Sequence, residues 1–284
     1  RDDGIIPSSR GVLAGFDRIT KMRKLVQCLQ NSNKNVTVYQ TAKAIKEAGF
    51  DGAFVQWYKT GEGGVTISGE EQVKLCRDNG LFVPFAHLGY DRINDLWTEG
   101  KSGDEMIDGY IRDVENVKKS GVNEVILHLT SKTNPPAPNE IGVNRLIRLF
   151  SAAKDAGIAV ALENNKVKGY FEYVFDATDY PVICLDVGHC HAHFNDDFDW
   201  QRFGKKIVSV HLHDNFGKED EHLLPFDGNV PWESYAKNFS SVGYKGDVTL
   251  ESRYYGEYLF LKVEEFYREA YERAVKIAGM LDKI

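Results

Sequence analysis

The sequence predicts an α/β chain whose parallel strands close into a single (β/α)8 barrel. Three observations predict it. Eight short apolar runs rich in β-branched residues alternate with amphipathic stretches. The alternation fills 284 residues, the length of one such barrel. No G-x-G-x-x-G loop follows a strand, which counts against an open, doubly wound sheet built around a dinucleotide.

The elements follow in order. Residues 24–29 (KLVQCL) read as the first strand and 39–48 as a helix closed by Gly49. Residues 52–57 (GAFVQW) are the second strand, 69–78 a helix and 81–87 (LFVPFAH) the third strand. A long helix over 105–120 leads to the fourth strand at 124–129 (EVILHL). A helix over 144–156 precedes the fifth strand at 158–164 (IAVALEN). The sixth, seventh and eighth strands fall at 182–187 (VICLDV), 207–213 (IVSVHLH) and 247–252 (DVTLES). A last helix over 263–281 carries Phe266, Ala270, Ala274, Ile277 and Leu281 at helical spacing. Ala48-Gly49, Ser120-Gly121 and Ala156-Gly157 place glycine where a helix must end. Residues 1–21 read as an N-terminal extension of the one domain, with no role assigned.

Composition narrows the function classes. The net charge of −7 and a pI near 5.7 disfavour an extended nucleic-acid surface. No apolar run approaches the ~20 residues needed to cross a bilayer. The four cysteines form no C-x-x-C pair and read as buried thiols in a reducing compartment. No signal-peptide pattern is visible, so a cytoplasmic protein is expected, with export left open because the chain begins at Arg1.

The chemistry gathers at one end of the expected barrel. All eight histidines, His87, His128, His189, His191, His193, His211, His213 and His222, fall at a strand's C-terminal end or in the loop after it. That rim is where barrels build active sites. Glu163 ends the fifth strand, Asp186 the sixth and Glu251 the eighth. A carboxylate at an apolar strand end is costly unless paired or metal-bound. With a histidine from the seventh strand they make four N/O ligands on four adjacent strands, suited to Mn²⁺, Zn²⁺, Co²⁺ or Mg²⁺. His211 and His213 alternate along that strand and both face inward, so spacing does not choose between them.

These motifs carry a resemblance. LEN with Glu163, LDVGH with Asp186 and His189, VHLHDN with His211, DEH with Asp220 and His222, and LES with Glu251 resemble the xylose-isomerase-like TIM barrel superfamily. That superfamily holds sugar isomerases and epimerases, inosose dehydratases and zinc-dependent AP endonucleases. The resemblance implies Glu163, Asp186, His211 and Glu251 as a shared metal quartet. The endonuclease branch would add ligands at His87, His128, His189, Asp220 and His222. The text HLHDN…DEHLLPFDGNVPW is more similar to the sugar-isomerase-like members, and departs from them at Phe226-Asp227.

The expected function is therefore a metal-dependent isomerase or epimerase of a sugar or sugar derivative. Glu163 and Glu251 would face each other across the substrate and move a proton through an enediolate stabilised by the ion. Lys166 and Arg253 are candidates to bind a phosphate or carboxylate, and Trp57, Phe85, Trp232 and Tyr254 to offer apolar faces to the sugar. The alternatives are a three-zinc phosphodiesterase similar to the AP endonucleases, an inosose dehydratase-like lyase, and a barrel that only binds sugar. A homo-oligomer is in keeping with barrels of this type, and no interface is legible in the sequence.

Overall fold

The structure, a computed structural model, describes residues 23–62, 64–132 and 134–283. The expected extension at 1–21 lies outside them. Eight parallel strands form the wall: β1 (Leu25–Cys28), β2 (Gly52–Trp57), β3 (Ala86–Leu88), β4 (Glu124–His128), β5 (Ala159–Glu163), β6 (Val182–Asp186), β7 (Ile207–His211) and β8 (Val248–Leu250). From β1 to β7 each pairs with the next, and β8 pairs back onto β1 through Leu25↔Val248 and its neighbours. A single bridge, Leu212↔Leu250, joins β7 to β8 and completes the (β/α)8 barrel.

The helices between them are α1 (Val38–Ala48), α2 (Gly69–Asp78), α3 (Lys101–Lys119), α4 (Glu140–Ala156), α5 (Tyr170–Ala177), α6 (Val187–Phe194), α7 (Trp232–Ser241) and α8 (Val263–Asp282). Local chemistry sets their ends. Thr37 and Gln40 form a capping box on α1, as do Ser68 and Glu71 on α2. Gly49 and Gly157 end α1 and α4 at φ 112° and 65°, where a side chain would be strained. The predicted stripe Phe266, Ala270, Ala274, Ile277 and Leu281 is the buried face of α8.

Some elements differ from the sequence reading. The third strand is three residues at its C-terminal end, and Phe82 makes only an isolated bridge to Gly52. Pro84 lies between them and has no N–H for the ladder. Helices α5 to α7 were not assigned from the sequence; α5 and α6, of eight residues each, are too brief for a clear 3.6 period. His189, His191 and His193 thus sit on α6, not in a loop. A small hairpin, Thr60–Glu62 with Val65–Ile67, is also new.

Inward-facing residues pack the barrel: Val26, Cys28, Phe54, Phe85, Ile126, Ala161 and Cys184. Two residues further along β3 to β6 come His87, His128, Glu163 and Asp186, on the same inner face. The period of two therefore lifts the polar groups above the apolar plug. All four cysteines are buried and free. Among the described residues no helix is long and apolar enough to cross a membrane.

Glu124 starts β4 at the opposite end of the inner face. Its Oε1 is buried without a hydrogen-bond partner, and burial pushes the carboxyl up to about 7. The folded chain then holds a proton that the unfolded chain releases near pH ~4.3. Stability therefore falls as pH rises from there through about 7. Glu124→Gln is expected to raise the unfolding free energy by about 1–3 kcal/mol at pH ~8 and to change little near pH ~4, in urea titrations at the two pH values.

Candidate metal centre

The quartet forms at the strand ends. Glu163, Asp186, His211 and Glu251 each offer a ligand atom, all within 4.8 Å of one another, and all four are buried. His211 Nδ1 lies 3.6 Å from Glu163 Oε1, 3.9 Å from Asp186 Oδ2 and 3.4 Å from Glu251 Oε2. His211 is fully buried, stacks on Phe54, and neither ring nitrogen has a hydrogen-bond partner. An imidazole with two orphaned nitrogens beside three carboxylates fits an ion's donor set.

A second group shares Glu163. Its Oε2 lies 3.1 Å from His87 Nε2 and 3.0 Å from His128 Nε2, and the two nitrogens are 3.1 Å apart. Donors bound at about 2.0–2.1 Å to one ion sit about 3.0–3.4 Å apart, so this triangle has the size of a ligand face. A third region gathers His189, His213, Asp220 and His222. His189 Nε2 is 3.2 Å from Asp220 Oδ2, and His222 Nε2 is 3.3 Å from Asp220 Oδ1. His213 Nε2 reaches Asp186 Oδ1 at 3.2 Å and Asp220 Oδ1 at 3.6 Å, and its ring stacks on His222. The structure thus separates the two inward histidines: His211 sits within the quartet and His213 next to it, between Asp186 and Asp220.

Backbone carbonyls orient these rings. His87 Nδ1 donates to Leu88 O, His189 Nδ1 to Asn164 O and His222 Nδ1 to Glu251 O, at 2.9, 2.8 and 2.9 Å. Each bond turns Nε2 toward a carboxylate, Glu163 for His87 and Asp220 for His189 and His222. Metal-ligating histidines are held in the same way, with the second nitrogen tied to a carbonyl. Asn164 holds two strand ends together, donating to Asp186 O and accepting from Asp186 N, both at 2.8 Å. Asp186 also caps α6 by accepting from His189 N.

Neighbouring cations lower both glutamates of the quartet. Burial alone would raise Glu251, but the nearby His211, His222 and Arg253 outweigh it and bring it to about 2. Burial likewise opposes the ionised form of Glu163, and His128 and His211 hold it well below the usual range.

The donors open onto a cavity of about 610 Å³, lined also by Tyr90, Lys132, Asn165, Lys166, Arg253 and Tyr255. Lys166 and Arg253 are therefore placed at the site. Trp57 is not: it is 7% exposed and packs against Gly69, where an added Cβ would meet its ring at 2.6 Å. Phe85 lies in the barrel interior, Trp232 donates to buried Asp214, and Tyr254 donates to Leu261 O. None of these four lines the cavity. The aromatic faces there are Tyr90, stacked on His128, and Tyr255. His191 turns away to Asp196 and Asn229.

Gly188 makes room for His213. A Cβ there would lie 1.9 Å from His213 Cε1. Gly188→Ala is expected to displace that ring from Asp186, which lies 3.2 Å from His213 Nε2, and to weaken retention of an ion at the quartet by about tenfold or more, read by competition with a chelator. Retention equal to the parent chain would contradict a role for His213.

Comparison with known proteins now decides the family. Residues 42–277 match the family described as xylose isomerase-like TIM barrel. The chain belongs to that family. Solved structures share the family's fold. An L-ribulose 3-epimerase aligns with a TM-score of 0.69 at 17% identity, over 92% of this chain and 95% of that one. A D-tagatose 3-epimerase-like protein aligns at 0.66 and 18%, over 90% and 98%. A 3-keto-D-glucoside 4-epimerase, YcjR from E. coli, aligns at 0.67 and 18%, over 89% and 99%. At that identity the likeness shows the fold. Curated relatives include the uncharacterized protein y4fM of Sinorhizobium fredii (strain NBRC 101917 / NGR234), 29% identical over 109 residues, 37% of this chain. Another is the uncharacterized protein MJ1311 of Methanocaldococcus jannaschii, 30% identical over 121 residues, 38% of this chain. The matches span 33% and 41% of the length of these two relatives.

Proposed function

We propose that the chain is a divalent-metal-dependent isomerase or epimerase acting on a sugar or sugar derivative. The observation that carries this reading is the buried quartet Glu163, Asp186, His211 and Glu251 at a cavity large enough for a small polyol. The epimerases named among the structures of the same fold support it. An ion held by the quartet supplies Lewis acidity, which makes the hydrogen next to a carbonyl acidic.

The protein's own groups do the rest. Glu163 turns Oε1 toward His211 and Oε2 toward His87 and His128. Glu251 turns Oε2 toward His211 and Oε1 toward Arg253, 3.5 Å away. Each glutamate thus has one oxygen for the centre and one beyond it. The outer oxygen of one takes the proton from carbon, and the electron pair moves onto the carbonyl oxygen. Inversion needs a proton from the opposite side, so the other glutamate must arrive protonated. His128, whose Nε2 lies 3.0 Å from Glu163 Oε2, is the group placed to relay that proton from the cavity. Tyr90 and Tyr255 offer faces for the sugar's C–H surface.

A second reading, a three-zinc phosphodiesterase, is favoured by the two further donor groups around Glu163 and Asp220. The acidic net charge opposes it for a DNA substrate. Metal content separates the two. After dialysis the chain is expected to hold one exchangeable ion, chelation to remove ketose isomerisation, and Mn²⁺, Mg²⁺, Co²⁺ or Zn²⁺ to restore it. Three zinc ions per chain that survive dialysis, with no ketose turnover, would overturn the isomerase reading.

A further inference from the structure

The loops after β4 and β5 carry a set of hydrogen-bond donors that the proton-transfer scheme does not use. These strands are neighbours, with His128 registered on Glu163. Their loops bring Thr130, Ser131, Lys132, Asn165 and Lys166 to the cavity wall. The backbone there is firmly held. Trp97 Nε1 donates to Leu129 O at 2.7 Å, and Asn94 exchanges two bonds of 2.9 Å with Ser131.

Asn165 is the sign of a ligand. It is 7% exposed, and its Oδ1 accepts from Leu129 N at 3.0 Å. That bond fixes the amide and leaves Nδ2 buried with no acceptor. A buried donor left unpaired costs free energy unless something fills it. Two exposed lysines stand beside it at the cavity wall. Among the described residues neither Lys132 nor Lys166 has an ion-pair or hydrogen-bond partner, whereas nearby Lys168 pairs with Asp197. Lys132 also holds a left-handed backbone at φ 66°, as do Ser32 and His222 on the same cavity. Such backbone strain in non-glycine residues clusters at ligand-binding walls. Arg253 is already engaged by Glu251, so it adds less to this set.

We infer that Asn165, Lys132 and Lys166 form an anion subsite, and that the substrate is a sugar derivative carrying a phosphate or carboxylate. The inference deepens the isomerase reading and rests on it for the sugar. Two ammonium groups and one amide N–H are the donors an oxyanion takes.

The test uses the metal-loaded full chain and inorganic phosphate as probe, by calorimetric titration. Phosphate affinity is expected to fall about tenfold or more in the Lys132→Ala/Lys166→Ala double variant and in Asn165→Asp, which keeps the side chain's shape and adds a negative charge. Metal content should stay at the parent level in both, which separates this wall from phosphate bound at the ion. Equal phosphate affinity in the parent and both variants overturns the subsite. D-Fructose, its 6-phosphate and D-fructuronate then distinguish the anion: the 6-phosphate preferred marks a phosphoryl group, the uronate a carboxylate, and equal binding of all three overturns the subsite. Lysine-dependent phosphate binding without proton exchange on any ketose would keep the subsite and sink the isomerase reading. Proton exchange with phosphate binding indifferent to the lysines would do the reverse.

Discussion

Glu163→Gln is expected to lower turnover by about 10³-fold or more and to leave the centre unable to retain its ion through dialysis. Glu163 is the carboxylate shared by two donor groups, with Oε1 toward His211 and Oε2 toward His87 and His128. An amide presents one oxygen where the carboxylate presents two, and its NH₂ would face either His211 or the His87–His128 pair. The substitution also removes the charge beside His128, a half-buried ring on the cavity wall whose pKa burial already lowers. Steady-state rates and metal content on the same preparation check both effects. A variant that keeps its metal and loses only turnover would assign Glu163 to proton transfer alone; full turnover would remove it from the site.

Asp214→Ala is expected to lower the unfolding free energy by about 3–5 kcal/mol, because it leaves several buried N–H donors unsatisfied at about 1–3 kcal/mol each. Asp214 is fully buried. Its Oδ1 accepts from Asn215 N and Val230 N, both at 2.9 Å, and its Oδ2 from Phe226 N and Trp232 Nε1, both at 2.8 Å. One carboxylate thus ties both ends of the 214–232 loop, which carries Asp220 and His222. Alanine leaves four donors without a partner. Asp214→Asn keeps the shape, loses one acceptor oxygen, and should cost less than Asp214→Ala. Urea titration measures the ordering, and a loss below about 1 kcal/mol for Asp214→Ala would contradict this account of the loop.

The loop also shows what the sequence could and could not convey. Glu163, Asp186 and Glu251 stand at the polar end of apolar runs of period two, so their common face was legible. The choice between His211 and His213 was not, because residues two apart share that face and only the depth of each ring separates them. The sequence singled out neither Asp214 nor Asn165, since their role comes from contacts 12 to 36 residues away. Trp57, Phe85, Trp232 and Tyr254 suggested sugar platforms by type alone; three-dimensional packing turns all four into the protein. Helix α6 was missed because an eight-residue segment with three histidines carries little periodic signal. Its start is set instead by the Asp186 cap.

The most direct test of the proposed chemistry is proton NMR of a ketose incubated in D₂O with the metal-loaded chain. The account predicts solvent deuterium at the carbon next to the carbonyl, together with the isomeric or epimeric sugar, and loss of both signals after chelation. A substrate converted without deuterium at that carbon would contradict proton transfer by Glu163 and Glu251.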